Sequence, residues 1–339
     1  MAKKIWLLAI FLLFSFMITT NWHRIFSSAS NSARTIEHPI VIGYSNWAGW
    51  WPWAIAESQG LFAKHGAKVE LKWYDNYTQS IKDLAAGYID GNCQTLNDTI
   101  SHARDAVKGE VVVLVNDNSA GNDKIIGAAG VEEVADLVGK QVVVEEGVVG
   151  DFLLSLALEQ QGLSREDIEV LNLETGAGAA AFVAGQGDAV VAFPPFWFNA
   201  LKREGAKEIT SSLDFPGAIP HLLVLTNTLI KKDPQQVQAL IDSWFDALDF
   251  IAANIVEADE IMAERAGISY ARLQLLKSGT RMFTPEDNLE AFRKGRDMKH
   301  LSFAARKITA FLQRNLKSID KKPNLSKLFN PSFVKSYVL

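Results

Sequence analysis

The sequence is poor in the residues that build disulfide frameworks, metal centres and nucleophilic active sites. Cys93 is the only cysteine among 339 residues, which excludes an intramolecular disulfide and a cysteine-rich metal site. The six histidines are scattered without metal-ligand spacing. No Gly-x-Ser-x-Gly, P-loop or His-Glu-x-x-His motif occurs. We therefore expect no catalytic residue, no metal site and no cofactor, and the sequence does not favour an enzyme.

An excess of positive charge is also absent. Lys and Arg number 34 against 39 Asp and Glu, which gives a formal net charge of −5. The first 33 residues carry three basic side chains and no acidic one, so the chain without them has a net charge of −8. An acidic protein is attracted neither to nucleic acid nor to an anionic membrane surface, and we expect neither as a partner.

Long apolar runs are missing except for one near the N-terminus. Lys3 and Lys4 precede an apolar stretch at 5–18, and small residues follow at 27–33. This order is typical of a secretory signal peptide, which we place at 1–33. The alternative is an uncleaved N-terminal anchor, which the long stretch between the apolar run and the small residues favours. Either reading places the remainder in the periplasm or another extracytoplasmic space, in contact with a membrane only through this segment or a membrane partner.

Strand and helix signals alternate along the rest of the chain. Short β-rich runs such as 110–115 and 189–193 are separated by stretches of helical periodicity, which is typical of parallel sheets with crossover helices. Beyond a strand predicted at 222–226 the chain becomes mainly helical, and Asp233-Pro234 marks the start of a long helix. This pattern predicts two α/β units followed by a return to helices. Ligands commonly bind in the cleft between such units.

Six sequence blocks resemble one family of transport proteins. They are Ile42-Gly-Tyr-Ser, the segment Trp53 to Gly66, the segment Ile81 to Gly91, the segment Asp136 to Val144, Asp151-Phe-Leu-Leu, and the segment Ala180 to Ala189. The blocks follow one another in the order found in the nitrate/sulfonate/taurine-type solute-binding proteins of ABC importers. Together the similar stretches extend from residue 38 to about residue 310.

The resemblance implies a fold, a role and partners. The implied fold is α/β and two-lobed, as in periplasmic binding proteins, with a mixed sheet flanked by helices in each lobe and the ligand cleft between the lobes. The order of the blocks places lobe one at 38–118 plus 222–339 and lobe two at 119–221. The implied role is capture of a small polar solute by lobe closure and its delivery to an ABC permease and ATPase.

Several segments depart from the family pattern. They are 45–53, 75–81, 94–98, 116–123 and 193–197, the last of which reads Phe-Pro-Pro-Phe-Trp where the family often shows Glu-Pro. These segments are similar, more loosely, to a subgroup of binding proteins found with urea carboxylase systems and associated with guanidine-type compounds.

The candidate ligand-binding residues are aromatic, acidic and amide side chains of the expected cleft loops. They are Trp47, Trp50, Trp51, Asp75, Tyr77, Asn97, Asp98, Asp123, Glu146 and Trp197. Aromatic faces attract cations, and a planar guanidinium suits bidentate contacts with a carboxylate. Nitrate or a sulfonate would instead meet Arg, Lys or helix N-terminal amides, and Lys124 is the nearest basic residue. A guanidine-like cation is therefore favoured, and an aliphatic sulfonate, taurine or nitrate stays open.

Several of these residues also have a purely structural interpretation. Asp98 suits a helix N-cap as well as a ligand contact, and Asp75 and Asp123 suit turns. Asp117 is interpreted as a hinge residue, and the lone His221 as a side chain with satisfied hydrogen bonds.

Two other functional classes stay open. Some relatives resemble enzymes that make the pyrimidine precursor of thiamine, which rely on a cysteine-rich iron-binding segment and a reactive histidine. The single cysteine and the N-terminal leader disfavour that reading. The remaining class is a sensor ectodomain or a structural protein. A neighbouring kinase gene would favour sensing, and neighbouring permease and ATPase genes would favour import.

Overall fold

The structure is a computed structural model that describes residues 38–103, 105–315 and 324–339. The signal peptide or anchor predicted at 1–33 lies outside these residues. Within the described part of the chain, no helix combines the length and the apolar character needed to cross a membrane.

Eleven strands form two sheets in the described residues. They are β1 (Ile40–Ser45), β2 (Val69–Tyr74), β3 (Gly91–Thr95), β4 (Glu110–Ser119), β5 (Lys124–Gly127), β6 (Gln141–Val144), β7 (Glu169–Asn172), β8 (Ala189–Ala192), β9 (Lys207–Ser211), β10 (Pro220–Thr226) and β11 (Thr280–Met282). The first sheet has the order β11-β4-β10-β3-β1-β2, and the second has the order β7-β6-β8-β5-β9. Both sheets are mixed, because β10 runs antiparallel between β3 and β4 and β5 runs antiparallel between β8 and β9.

Fourteen α-helices cover these sheets in the described residues. They are α1 (Pro52–Ser58), α2 (Leu61–Lys64), α3 (Tyr77–Ala85), α4 (Leu96–His102), α5 (Val149–Gln160), α6 (Thr175–Val183), α7 (Phe196–Ala200), α8 (Asn227–Lys232), α9 (Pro234–Ala253), α10 (Ile255–Ala266), α11 (Tyr270–Ser278), α12 (Pro285–Phe292), α13 (Leu301–Asn315) and α14 (Ser332–Val338). Each sheet with the helices packed on it is called a lobe below, the first lobe holding the six-stranded sheet. The α/β architecture predicted from the sequence is confirmed.

The chain passes between the two sheets twice. The first passage leads from β4 to β5, and the second leads from β9 through a 3-10 turn at Ser212–Asp214 to β10. The hydroxyl groups of Ser119 and Ser212 share a hydrogen bond of 2.7 Å. The two passages therefore lie side by side.

Strand β4 is longer than the sequence indicated. The apolar run predicted a strand at 110–115 and a ligand loop after it, but the strand continues to Ser119 with all ten residues buried. The polar end stays in the sheet because strands lie on both sides of it. Asp117 is paired with His221 of β10, and Asn118 with Arg281 of β11. Strands β5, β9 and β11 were missed, since they are short and their partners are distant in sequence.

The long helix α9 supports the first lobe from the C-terminal part of the chain. Its N-cap is Asp233, whose side chain accepts a hydrogen bond from the Gln236 backbone N–H at 3.2 Å, as the Asp-Pro pair predicted. On its inner face Trp244 is fully buried, with its ring centroid 4.6 Å from that of Trp53 in α1. Both tryptophans are therefore core residues.

Candidate ligand-binding site

A cavity lies between the two lobes, where the carboxyl ends of β1 and β3 face elements of the second lobe. It encloses about 280 Å³ of space that protein atoms do not fill, part of it open to solvent. The residues that line it are Ser45, Asn46, Trp47, Trp50, Tyr77, Thr95, Asp123, Val149, Phe193 and His221. Because part of this space is open to solvent, the enclosed room suits a small solute.

Five rings form the walls, and we call them the aromatic box: Trp47, Trp50, Tyr77, Phe193 and His221. The rings of Trp47 and His221 are stacked with their centroids 4.0 Å apart and an interplanar angle of 27°. Trp50 lies 5.4 Å from His221 and 5.7 Å from Tyr77, and Phe193 lies 6.0 Å from Tyr77. Such a set of faces is suited to a cation or a flat polar solute.

The backbone between β1 and α1 decides which tryptophans reach the cavity. A 3-10 turn at Ala48–Trp50 leads directly into α1, with Pro52 at its first position, where a missing N–H has no cost. Because a 3-10 turn has three residues per turn, Trp47 and Trp50 come to the same side. Trp51 points away from that side and is fully buried.

Asp117, near the end of β4, lies behind the aromatic box and contacts two of its rings. Its Oδ1 accepts a hydrogen bond from Trp47 Nε1 at 3.0 Å and lies 3.0 Å from His221 Nδ1. The contact with His221 lacks the angle of a hydrogen bond, and Oδ2 has no partner among the described residues. The carboxylate fits against Gly49, where a Cβ would come within 1.9 Å of Oδ2. Asp117 therefore fixes two rings of the box, a role that the sequence did not indicate.

Asp98 lies behind Tyr77 and orients its ring. Its Oδ2 accepts hydrogen bonds from Tyr77 Oη and Thr95 Oγ1, both at 2.7 Å, and Asn97 Nδ2 donates to Oδ1 at 3.1 Å. Burial raises the pKa of Asp98, while these three donors act in the opposite direction. The interpretation of Asp98 as an N-cap is wrong, because Thr95 caps α4 and accepts a hydrogen bond from Asp98 N–H at 3.1 Å.

Asp123 is a buried carboxylate at the cavity wall, in the passage between β4 and β5. The residue is 2% exposed, and its Oδ2 has no hydrogen-bond partner among the described residues. Burial raises its pKa, although His221 and Ser119 lower it. A buried carboxylate oxygen without a partner is unfavourable, and a bound N–H donor or cation would relieve this.

Six of the ten predicted ligand residues lie at or directly behind this cavity. Trp47, Trp50, Tyr77 and Asp123 line it. Asn97 and Asp98 follow Thr95 in α4, and both are buried. Among the described residues, no group of three or more His, Cys, Asp or Glu side chains is arranged to hold a metal ion.

The other four predicted residues lie outside the lining. Trp51 is in the core, and Asp75 is exposed and accepts a hydrogen bond from a neighbouring tryptophan at 2.9 Å. Glu146 forms an ion pair with an arginine at 2.7 Å, and Trp197 is buried beneath Lys124, whose Nζ is 5.0 Å from its ring centroid. Ligand contact by any of the ten residues stays a prediction.

Two residues that shape the box were not among the candidates. His221 was interpreted as a satisfied side chain, and its neighbourhood appears only when β10 pairs with β4. Phe193 directly follows the buried strand β8. Its position at a strand's carboxyl end is the signal that could have identified it.

Hydrogen bonds join the lobes beside the cavity. Glu145, which follows β6, accepts hydrogen bonds from the backbone and the hydroxyl group of Thr175 in its own lobe and from Thr78 Oγ1 of the first lobe at 3.0 Å. The Gly147 carbonyl oxygen accepts hydrogen bonds from Asn97 Nδ2 at 3.0 Å and Ser101 Oγ at 3.1 Å. The lobes are therefore in contact along the rim of the cavity.

Comparisons of this chain with known proteins agree with one another. Residues 36–267, more than half of the chain, match the NMT1-like family. A putative binding protein of Brucella abortus is 27% identical over 263 residues, covering 76% of this chain and 81% of that protein. The taurine-binding periplasmic protein of Escherichia coli is 25% identical over 245 residues, covering 69% of this chain and 76% of that protein. The periplasmic aliphatic sulphonate binding protein SsuA of Escherichia coli superposes with a TM-score of 0.70 at 20% identity, over 87% of this chain and 93% of that one.

The fold also occurs in an enzyme. The desulfurization enzyme DSZB superposes with a TM-score of 0.63 at 14% identity, over 88% of this chain and 98% of that one. The two-lobed fold and the resemblance to the sulfonate- and taurine-binding proteins are confirmed, whereas the guanidine subgroup stays a prediction. The chain belongs to the NMT1-like family and has the fold of the two-lobed periplasmic binding proteins.

Proposed function

We propose that this protein is the solute-binding component of an ABC importer and that it captures a small nitrogen-rich cation of the guanidine type between its lobes. In this proposal 1–33 directs the chain out of the cytoplasm, and a permease and an ATPase receive the solute. In this proposal lobe one comprises 38–118 plus 222–339 and lobe two 119–221, although β4 extends to Ser119 and β10 starts at Pro220, and both strands belong to the sheet of the first lobe.

The observation that carries the cation assignment is the unpaired carboxylate oxygen of Asp123 at the wall of the aromatic box. A guanidinium ion can donate two N–H groups to one carboxylate and stack on an aromatic face at the same time. Trp47 and Trp50 provide such faces, and Ser45 and Thr95 provide further oxygen acceptors in the lining.

Two helix ends at the cavity carry an acidic residue that disfavours an anion, whereas α3, which begins at the lining residue Tyr77, has none in its first turn. The helices α4 and α5 begin beside lining residues, and helix N-termini attract negative charge. Each of these helices, however, carries an aspartate in its first turn, Asp98 in α4 and Asp151 in α5. These carboxylates offset the partial positive charge of the helix ends. No Lys or Arg occurs among the described residues that line the cavity.

Two alternatives have support of their own. Taurine, an aliphatic sulfonate or nitrate is the alternative solute, supported by what the curated and solved relatives bind according to their names. Catalysis is the alternative activity, supported by the fold shared with a desulfurization enzyme. Cys93 is poorly placed for a role in catalysis, because it is fully buried and burial raises the pKa of its thiol.

A thermal-shift panel on the purified protein tests the proposal. Guanidine, methylguanidine, urea, choline, nitrate, taurine and short sulfonates are added separately, and a ligand at one hundred times its dissociation constant adds about 2.7 kcal/mol of stability. We expect stabilisation by the guanidinium compounds that is clearly weaker in Asp123→Asn. Asp75→Asn should keep it, because Asp75 lies outside the lining. Stabilisation by nitrate or sulfonates alone would reject the cation, and chemical turnover of a bound compound would reject a purely binding role.

A further inference from the structure

We infer that His221 sets the sign of the charge that the cavity accepts, so that the site takes a cation when the imidazole is neutral and loses this preference when it is protonated. The inference rests on the proposed function of the cavity as the solute site. It adds a specificity-determining residue that the sequence pattern assigned to no function.

His221 is in contact with two walls of the aromatic box. Its ring is stacked on Trp47 at 4.0 Å and lies edge-on to Trp50 at 5.4 Å between centroids. His221 lines the same cavity as the two tryptophans, so a cation held in the cavity is also close to the imidazole. Water screens little of the interaction, because His221 is 2% exposed.

Acidic groups face His221 from several elements, and a second histidine, His102, lies beside Asp98 with its Nδ1 3.1 Å from the Asp98 backbone carbonyl oxygen. Asp117 faces it from β4 at 3.0 Å, Asp123 faces it from the passage to β5, and Asp98 and Tyr77 belong to the same cluster from α4 and α3. His221 is the one basic side chain among the described lining residues. Its protonation is therefore the one change that adds positive charge to the lining.

Two aspartates, Asp117 and Asp123, lie next to the His221 imidazole. Asp117 Oδ1 accepts a hydrogen bond from the indole N–H of Trp47 and lies 3.0 Å from His221 Nδ1, so the carboxylate faces the imidazole while it holds the tryptophan. Asp123 loses its charge when it is protonated, so this carboxylate and His221 change cation affinity in the same direction. An experiment has to separate the two contributions.

The test is the pH dependence of binding in matched variants. Dissociation constants of guanidinium and methanesulfonate, whose charges are fixed, are measured by calorimetry from about pH 5 to about pH 8, where histidines commonly change charge. We expect the affinity of the wild-type protein for guanidinium to rise about tenfold or more when the imidazole becomes neutral, because a like charge beside the solute is removed. His221→Gln should show a clearly smaller rise, and Asp123→Asn should retain the part due to His221.

The control is His65→Gln, because His65 pairs with Asp246 at 2.7 Å outside the lining. It should keep the full wild-type slope. Thermal unfolding checks that each variant is folded. If His221→Gln does not fold, a guanidinium affinity that is independent of pH in Asp123→Asn overturns the inference.

The outcomes separate this inference from the proposed function. Equal slopes in the wild-type protein and His221→Gln would overturn the role of His221 and leave guanidinium binding intact. Binding of methanesulfonate without guanidinium would reject the proposed cation. The role of His221 would then stand only if methanesulfonate affinity falls with rising pH in the wild-type protein and not in His221→Gln. Binding of neither compound overturns both.

Discussion

The two lobes contribute unequally to the cavity that they share. The first lobe provides four rings of the aromatic box and most of the polar lining, whereas the second provides Val149 and Phe193. The second lobe instead forms hydrogen bonds with the first lobe outside the lining, through Glu145 and the Gly147 carbonyl group. We therefore expect changes in the first lobe to alter which solute binds, and changes at the rim to alter how firmly any solute is held.

The wall of the first lobe rests on a buried polar network. Asn92 Nδ2 donates hydrogen bonds to Ser80 Oγ at 3.1 Å and Gln94 Oε1 at 2.9 Å. Gln94 Nε2 in turn donates to Thr99 Oγ1 at 3.1 Å and Glu110 Oε2 at 3.4 Å. Because the network lies behind β3 and does not line the cavity, we expect it to affect stability more than selectivity.

The largest effect is expected when this network is changed at Glu110. Burial raises the pKa of Glu110 to about 8. As the pH rises from about 4.3, the unfolded chain loses this proton before the folded chain does, so the unfolding free energy falls until the pH passes the folded pKa. Glu110→Gln should remove this fall, and at pH values above the folded pKa it should be more stable than the wild-type protein by a few kcal/mol, on the order of 1.4 kcal/mol per pKa unit.

Urea denaturation of both proteins at acidic and mildly alkaline pH measures this difference. Glu70→Gln, an exposed change on β2, serves as the matched control. Parallel pH dependence in the wild-type protein and Glu110→Gln would show that Glu110 is not the group responsible. A change in the order of solute affinities in Glu110→Gln would contradict the expectation that the network affects stability more than selectivity.

An intermediate effect is expected for Gly49→Ala in the wall of the first lobe. The new Cβ would lie 1.9 Å from Asp117 Oδ2, so the carboxylate that holds Trp47 and His221 must move. We expect a loss of about 1–3 kcal/mol in unfolding free energy from overpacking, together with a solute affinity that is at least about tenfold weaker (about 1.4 kcal/mol).

Gly150→Ala in the second lobe is the matched change for that test. Its Cβ would first meet Val191 Cγ1 at 3.2 Å, a contact that a small shift can relieve. Calorimetric titration and thermal unfolding of the two variants compare the lobes directly. If both variants weakened solute binding equally, the expectation that the two lobes contribute unequally to the cavity would be wrong.

The smallest effect is expected for Thr78→Val at the rim. This change removes the hydroxyl donor that joins the first lobe to Glu145 and keeps the shape of the side chain. A hydrogen bond of this kind contributes about 1 kcal/mol, so the affinity for every solute should fall by a similar factor of roughly five. Thr210→Val, whose hydroxyl group bonds Asp214 within the second lobe, should leave affinity unchanged. If Thr78→Val changed the affinities of different solutes by different factors, Thr78 would have a role in solute recognition.

Local sequence signals identified the elements that carry their own pattern. The apolar run at 110–115 and the Asp233-Pro234 start of α9 were both predicted from spacing and residue type. The continuation of β4 through polar residues was not, because its hydrogen bonds are supplied by β10 and β11 from about one hundred or more residues away.

The sequence by itself determined the α/β class, the family and the chemistry of the first-lobe wall, because strand runs, helix caps and clustered tryptophans and acids are local features. It named Trp47, Trp50, Tyr77 and Asp123 among the lining residues. Only the tertiary structure showed that Asp117 and His221 meet behind and beside these rings. That contact depends on the pairing of β4 with β10, a long-range arrangement that no local pattern specifies.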